Sequence, residues 1–172
     1  MIYQELIPKE TGMNVATPIA SKEKKAFILH AEEGERINAF GSEGVFKLTG
    51  ENTGGTFTLM LGVVPPGGGP PPHVHNVDDE FFIIVEGRYN FLIAGAWTEV
   101  GAGAVVYLPR GTPHTFKNMG DKPSRHWAIL NPSGFETFYA RCAEVFAAPG
   151  PPDFARIAAI SREHGYGIIR GG

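Results

Sequence analysis

The sequence predicts an all-β barrel closed by a helical tail, and three observations carry that prediction. Short runs rich in β-branched and aromatic residues recur between Val45 and Leu130, separated by turns containing Gly, Pro or Asn. Within this stretch, histidines and a glutamate stand at intervals that strand alternation and one hairpin's reach can gather into a single site. Beyond residue 132 the apolar spacing changes to a helical period.

Taken in order, residues 1–40 are mixed and read as an N-terminal arm or strands packing on the barrel or on a partner subunit. Lys22, Lys24 and Lys25 form a solvated patch there, and Phe27-Ile28-Leu29 is a candidate strand. Residues 41–132 are the barrel, with strands expected over 45–48, 56–64, 80–85, 89–93, 97–100, 104–108, 114–117 and 125–130. The loop Pro65-Pro66-Gly67-Gly68-Gly69-Pro70-Pro71-Pro72 is stiff, because three prolines before His73 leave little backbone freedom to lose. It is no phosphate cradle, since neither Lys-Ser/Thr nor a helix pattern follows.

Residues 133–172 are a helical extension of the same domain. Ser133 and Glu136 are spaced as a capping box, ahead of a stripe of Phe135, Phe138, Tyr139, Cys142 and Val145 or Phe146. Pro149-Gly150-Pro151-Pro152 stops that helix. A second runs over 153–164 with Phe154, Ile157 and Ala158 on one face and Gly165 as its stop. Both stripes read as packing against the outside or mouth of the barrel rather than as substrate contacts.

Composition narrows the function. At 172 residues the chain suffices for one domain with a substantial core, and 42% hydrophobic residues with a net charge of −3 describe an ordinary soluble protein. Without a basic patch or a nucleic-acid-binding pattern, nucleic acid is not an expected partner. No apolar run approaches the roughly 20 residues needed to span a bilayer, and the N-terminus lacks a signal-sequence pattern. The lone Cys142 precludes an internal disulfide and suits a cytoplasmic location, where it reads as a buried, inert thiol.

Two strings carry the chemistry. The first is Gly67, five residues, His73, one residue, His75, four residues, Glu80, six residues, Gly87; the second is Gly103, five residues, Pro109, one residue, Gly111, two residues, His114, three residues, Asn118. Three imidazoles and one carboxylate suit a divalent transition metal. His73 and His75, two apart, can project to one face of a strand, Glu80 opens a β-rich run, and His114 opens another after a turn. His30, His126 and His164 are tied to this set by no spacing and read as ordinary histidines. Asp78 and Asp79 read as turn residues.

These strings match every fixed position of the two sequence motifs of the cupin superfamily, which the chain resembles over residues 40–132. Ten matched positions, each with a chance frequency of about one in twenty, leave no room for coincidence. The resemblance implies a double-stranded β-helix barrel, or jelly roll, with His73, His75, Glu80 and His114 as ligands to one divalent metal ion per chain. Fe, Mn, Co, Ni and Cu are the expected metals, and Zn also fits the donors but not redox chemistry.

Within the superfamily, the one-barrel length, the Pro-Pro-His-Val-His string, the Glu-Phe-Phe-Ile-Ile-Val-Glu-Gly strand and the Asn131-Pro132-Ser133-Gly134-Phe135-Glu136 tail resemble the single-barrel quercetinase-type group. That likeness implies a metal-dependent dioxygenase that opens an enol- or phenol-bearing aromatic such as a flavonol, with O2 as cosubstrate and Glu80 as ligand and base. It also implies a homodimer. Phe57, Leu59, Phe82, Ile84 and Phe116 are the candidate walls of a pocket for a flat aromatic, positions that barrel core would equally occupy. A redox-neutral isomerase or lyase, and a non-catalytic binding or sensing protein, are the competing readings.

Overall fold

The computed structural model describes residues 24–169. Two antiparallel sheets stack face to face, because the strands alternate inward apolar and outward polar or half-exposed side chains and must bury one face. The larger sheet contains β1 (Glu35–Ala39), β2 (Ser42–Leu48), β3 (Thr58–Val64), β5 (Asp79–Glu86), β8 (Val105–Leu108) and β10 (Ser124–Asn131). Its spatial order is β1-β2-β3-β10-β5-β8. The smaller contains β4 (His73–His75), β6 (Arg88–Ile93), β7 (Ala96–Gly101), β9 (His114–Asn118) and β11 (Tyr166–Ile168), in the order β11-β4-β9-β6-β7. This is the all-β jelly roll that the sequence predicts, with C-terminal helices.

Alternation sets what faces the interior. Thr58, Met60, Gly62 and Val64 of β3 point in, as do Glu80, Phe82 and Ile84 of β5 and His126, Ala128 and Leu130 of β10. Two-residue turns close two hairpins: Phe40-Gly41 between β1 and β2, and Ala94-Gly95 between β6 and β7, all four residues with positive φ. Such turns match the twist of the paired strands. Phe40, at φ 54°, bears a strain that its packing on Phe138, Tyr139 and Phe146 offsets.

Each of the eight expected runs is a strand, with ends displaced by at most three residues. β1, β11 and the short helix α1 (Gly50–Thr53) lie outside the eight expected runs, as does β4, although its two histidines are spaced for one face of a strand. These are short pieces defined by their pairing partners rather than by their own alternation. Phe27-Ile28-Leu29 is not a strand, and Ile28 is 82% exposed. Lys24 and Lys25 are exposed, while Lys22 lies outside the described residues.

Helix α2 (Phe135–Ala147) packs on β1, and α3 (Phe154–Glu163) packs on α2 and β11. Phe135, Phe138, Tyr139, Cys142 and Val145 form the buried stripe. The expected capping box is not made: Gly134 is the N-cap, and the Glu136 carboxylate instead accepts from Gly50 N at 2.7 Å, Gly134 N at 3.0 Å and the Thr58 hydroxyl. A tertiary demand, tying α1 and β3 to the tail, outcompetes the local one. In α3 the buried face is Ile157, Ile160 and Ser161, and Phe154 lies outside it at 67% exposed. Asp153 caps this helix through Arg156 N at 3.0 Å.

Candidate metal centre

The proline- and glycine-rich loop is fastened along β9. Gly67 N donates to Asn118 O, Asn118 N to Gly68 O, and the Thr115 hydroxyl to Pro70 O, at 3.0, 2.9 and 2.6 Å. Gly69 permits the closest approach, since a Cβ there would lie 1.9 Å from Phe116 O. The loop thereby delivers β4 antiparallel to β9 with His73 opposite His114. His75 falls two residues on, and Glu80 reaches in from β5 of the facing sheet.

The structure brings together all four residues singled out by spacing: one ligand-type atom from each of His73, His75, Glu80 and His114 lies within 4.8 Å of the others. Each imidazole is oriented from behind. His73 Nδ1 meets Pro71 O at 2.8 Å, His114 Nδ1 meets Thr112 O at 2.9 Å, and His75 Nδ1 meets Asp78 Oδ1 at 2.7 Å. Carbonyl and carboxylate oxygens only accept, so each Nδ1 donates and the neutral ring presents an Nε2 lone pair to the centre.

Those lone pairs converge on an anion. His114 Nε2 lies 3.1 Å and His75 Nε2 3.8 Å from Glu80 Oε2. Among the described residues neither His114 Nε2 nor Glu80 Oε2 has a hydrogen-bond partner, although both are buried. Acceptor facing acceptor at low dielectric is unfavourable, and a cation between them removes the conflict. Burial opposes ionisation of Glu80, but positive charge at the imidazoles, first at His75 and then at His114, outweighs it and holds the carboxyl down at about 2, a preference that a cation among neutral rings satisfies equally. Burial, then repulsion from His114 and His75, lowers His73 to about 3. For His75, burial is outweighed by Glu80 and Asp78, which raise its pKa. The donor set therefore fits a divalent transition metal.

Asp79 is not a turn residue, and Asp78, in the connection between β4 and β5, does more than turn the chain. Asp78, 2% exposed, bridges His75 Nδ1 and the Tyr166 hydroxyl, which donates to Asp78 Oδ2 at 2.6 Å. Tyr166 belongs to β11, which pairs with β4 so that Tyr166 is opposite His75 and Ile168 opposite His73. The C-terminal segment thus completes the support of the histidine strand. Asp79 opens β5 and pairs with Arg110 Nε at 3.0 Å.

The cluster opens into a cavity of about 90 Å³ whose wall is mostly aromatic and aliphatic, including Phe40, Met60, Phe82, Phe116, Phe135 and Phe138. Of the pocket candidates, Phe82 and Phe116 line it. Leu59 turns to the opposite face of β3, beside Leu61 and Trp127, Phe57 precedes that strand, and Ile84 is core away from the cavity wall. The tail does more than pack on the mouth, since Tyr139 and Ser161 of its helices and Tyr166 of β11 also line the cavity. His126, which spacing left unassigned, lines it as well and is 3% exposed. By contrast, His30 is exposed, and His164 meets Arg141 Nη1 at 2.9 Å. Cys142 is fully buried, and burial pushes its thiol up to about 11.

Among the described residues no helix is long and apolar enough to cross a membrane.

Residues 60–129 match the model of the cupin domain. The chain is 30% identical over 97 residues to quercetin 2,3-dioxygenase of Bacillus subtilis, a match covering 56% of this chain and 28% of that protein. It is 31% identical over 86 residues to polyketide synthase CurC of Streptomyces cyaneus, covering 49% of this chain and 56% of the other. A protein of Methanocaldococcus jannaschii is 33% identical over 66 residues, which are 38% of this chain and 53% of that one. The chain thus spans from about a quarter to just over half the length of these relatives. Among solved structures, KdgF from Halomonas sp. superposes with a TM-score of 0.58 at 15% identity, covering 66% of this chain and 99% of the other. A predicted oxalate decarboxylase from Thermotoga maritima gives 0.57 at 24%, covering 62% and 99%. Both share the fold.

Proposed function

We propose that this chain, which carries a cupin domain, is a metal-dependent dioxygenase acting on an enol- or phenol-bearing aromatic, with His73, His75, Glu80 and His114 as the metal ligands. The observation that carries the reading is that the cluster opens onto a cavity walled mostly by aromatic side chains. A dication held by one carboxylate and three neutral imidazoles retains net positive charge, which favours an anionic oxygen from an enol or phenol. When bound, a redox-active divalent metal supplies the Lewis acidity and one-electron chemistry that joining such a substrate to O2 requires. The protein's part is to orient three imidazoles, to keep Glu80 ionised as a ligand able to accept the substrate proton, and to exclude water with Phe135 and Phe138.

The resemblance to a quercetin 2,3-dioxygenase supports oxygen chemistry, whereas the match to a polyketide synthase supports a redox-neutral reaction at the same cluster. Oxygen uptake separates the two. Metal-stripped protein is reconstituted in turn with Fe(II), Mn(II), Co(II), Ni(II) and Cu(II) and offered phenols, enols and flavonols in an oxygen electrode. The proposal expects uptake with at least one metal, matched to substrate loss and abolished in Glu80→Ala. Substrate loss without uptake would replace it with the redox-neutral reading.

A further inference from the structure

One polar group in the cavity wall is unused by the metal cluster. His126 lies on β10 opposite Ile84 of β5, whereas Leu130 lies opposite Glu80, which places the imidazole four residues along the strands from the carboxylate ligand. Its Nδ1 is 3.0 Å from the hydroxyl of Tyr89. Tyr89 is fully buried among Phe91, Phe116 and His126, and His126 is the only hydrogen-bond partner of its hydroxyl among the described residues.

That arrangement fixes the tautomer. A buried phenol O–H left without an acceptor is costly, so Tyr89 donates to Nδ1 and the ring proton resides on Nε2. Among the described residues no group accepts that N–H. Gly62, directly opposite on β3, makes room for the ring. This glycine sits mid-strand in β3 without a positive φ, so the backbone does not require it. A Cβ at this position would lie 2.3 Å from His126 Nε2. Gly62 and His126 both line the cavity, so the N–H without a protein acceptor belongs to a ring in the wall of ligand space.

We infer that His126 is a substrate-recognition residue whose Nε2–H donates to an acceptor oxygen of the ligand. The site then takes a one-ring phenol or enol whose ionisable hydroxyl meets the cluster and whose carbonyl-type oxygen, at the far side of the ring, meets His126. This rests on the reading that an enol or phenol oxygen binds at the cluster. Two magnitudes favour one ring over the three of a flavonol. An enclosed water needs ~10–15 Å³, so the cavity of about 90 Å³ accommodates roughly six to nine water-sized groups. Four residues of strand span roughly 13 Å. Removing a ~2 Å metal–oxygen contact and a ~3 Å hydrogen bond leaves several ångströms for the ligand, the scale of one para-substituted ring.

The test uses a nearly isosteric pair, 4-hydroxybenzaldehyde and 4-ethylphenol, titrated calorimetrically into Zn(II)-loaded protein so that no turnover intervenes. The two phenols differ in acidity, so the quantity read is how their affinity ratio changes between proteins. In His126→Phe the preference for the aldehyde falls about three- to tenfold, the worth of one neutral hydrogen bond, while 4-ethylphenol affinity changes less than twofold. Gly62→Ala, whose Cβ would press on the face of the His126 ring and displace it, lowers the preference in the same direction. An unchanged ratio in both folded, metal-loaded variants overturns the inference, as does binding of quercetin but of neither one-ring phenol. Oxygen uptake is scored separately, so a shifted ratio without uptake keeps the recognition role and removes only the dioxygenase reading.

Discussion

Asp78→Asn offers a sharp test of how the centre is supported. Asp78 uses both carboxylate oxygens, one on His75 Nδ1 at 2.7 Å and one on the Tyr166 hydroxyl at 2.6 Å, in a site where it is 2% exposed. Asparagine preserves the shape but replaces one acceptor with an NH2 donor. If its oxygen stays on His75, the amide faces the Tyr166 hydroxyl, which must then accept; if it turns round, the NH2 confronts the His75 N–H and the ring loses the bond that fixes its tautomer. Losing a carboxylate partner behind a ligating histidine costs about 10- to 100-fold in metal affinity, or roughly 1.4–2.7 kcal/mol. The assay is competition between the protein and a chromophoric chelator for Co(II) or Zn(II) at neutral pH. Tyr166→Phe, which keeps the carboxylate on His75 and removes only its outer hydrogen bond, weakens binding by less than Asp78→Asn. Metal affinity within twofold of wild type in a folded Asp78→Asn protein would refute the reasoning.

Other perturbations probe the scaffold around the site. Burial lowers His126 to about 4, against about 6.5 in an unfolded chain. The unfolded state therefore binds more protons between these values, and the stability present above pH ~6.5 falls by up to about 3 kcal/mol as pH drops to ~4. Urea melts of metal-free wild type and His126→Phe across that window should diverge, with only the wild type losing this increment; parallel losses would contradict the assignment. Gly69→Ala drives a Cβ to 1.9 Å from Phe116 O at φ 156°, and should cost ~2–4 kcal/mol in denaturant unfolding, with weaker metal binding because the loop carries His73. Glu136→Ala strands three donors and should cost ~2–4 kcal/mol, well above the ~1 kcal/mol of a simple lost cap; a thermal melt within a degree of wild type would show that the clamp contributes nothing.

The metal cluster was legible because its residues sit in two dense strings whose spacing reflects strand alternation and one turn. The cavity wall was less legible, because it depends on which face each strand turns inward. Starting β3 at Thr58 puts Thr58, Met60, Gly62 and Val64 inside and Leu59 outside, and a one-residue difference in register reverses that choice. His126 shares this problem: its inward position emerges only from its alternation with Ala128 and Leu130 and its pairing with Ile84. Asp78 carried a faint local signal, three residues after His75. Tyr166 carried none, since β11 is three residues long and meets β4 only through tertiary folding. Glu136 shows the converse, a recognisable capping pattern overridden by contacts 86 and 78 residues away in sequence.

The most direct measurement is product analysis after reaction under 18O2, using protein loaded with whichever metal supports oxygen uptake and the best one-ring substrate. The account predicts that both labelled atoms enter the organic product and that Glu80→Ala yields none. Conversion to a product carrying no label, at an undiminished rate without oxygen, would contradict the dioxygenase assignment and place this cluster among redox-neutral metal centres.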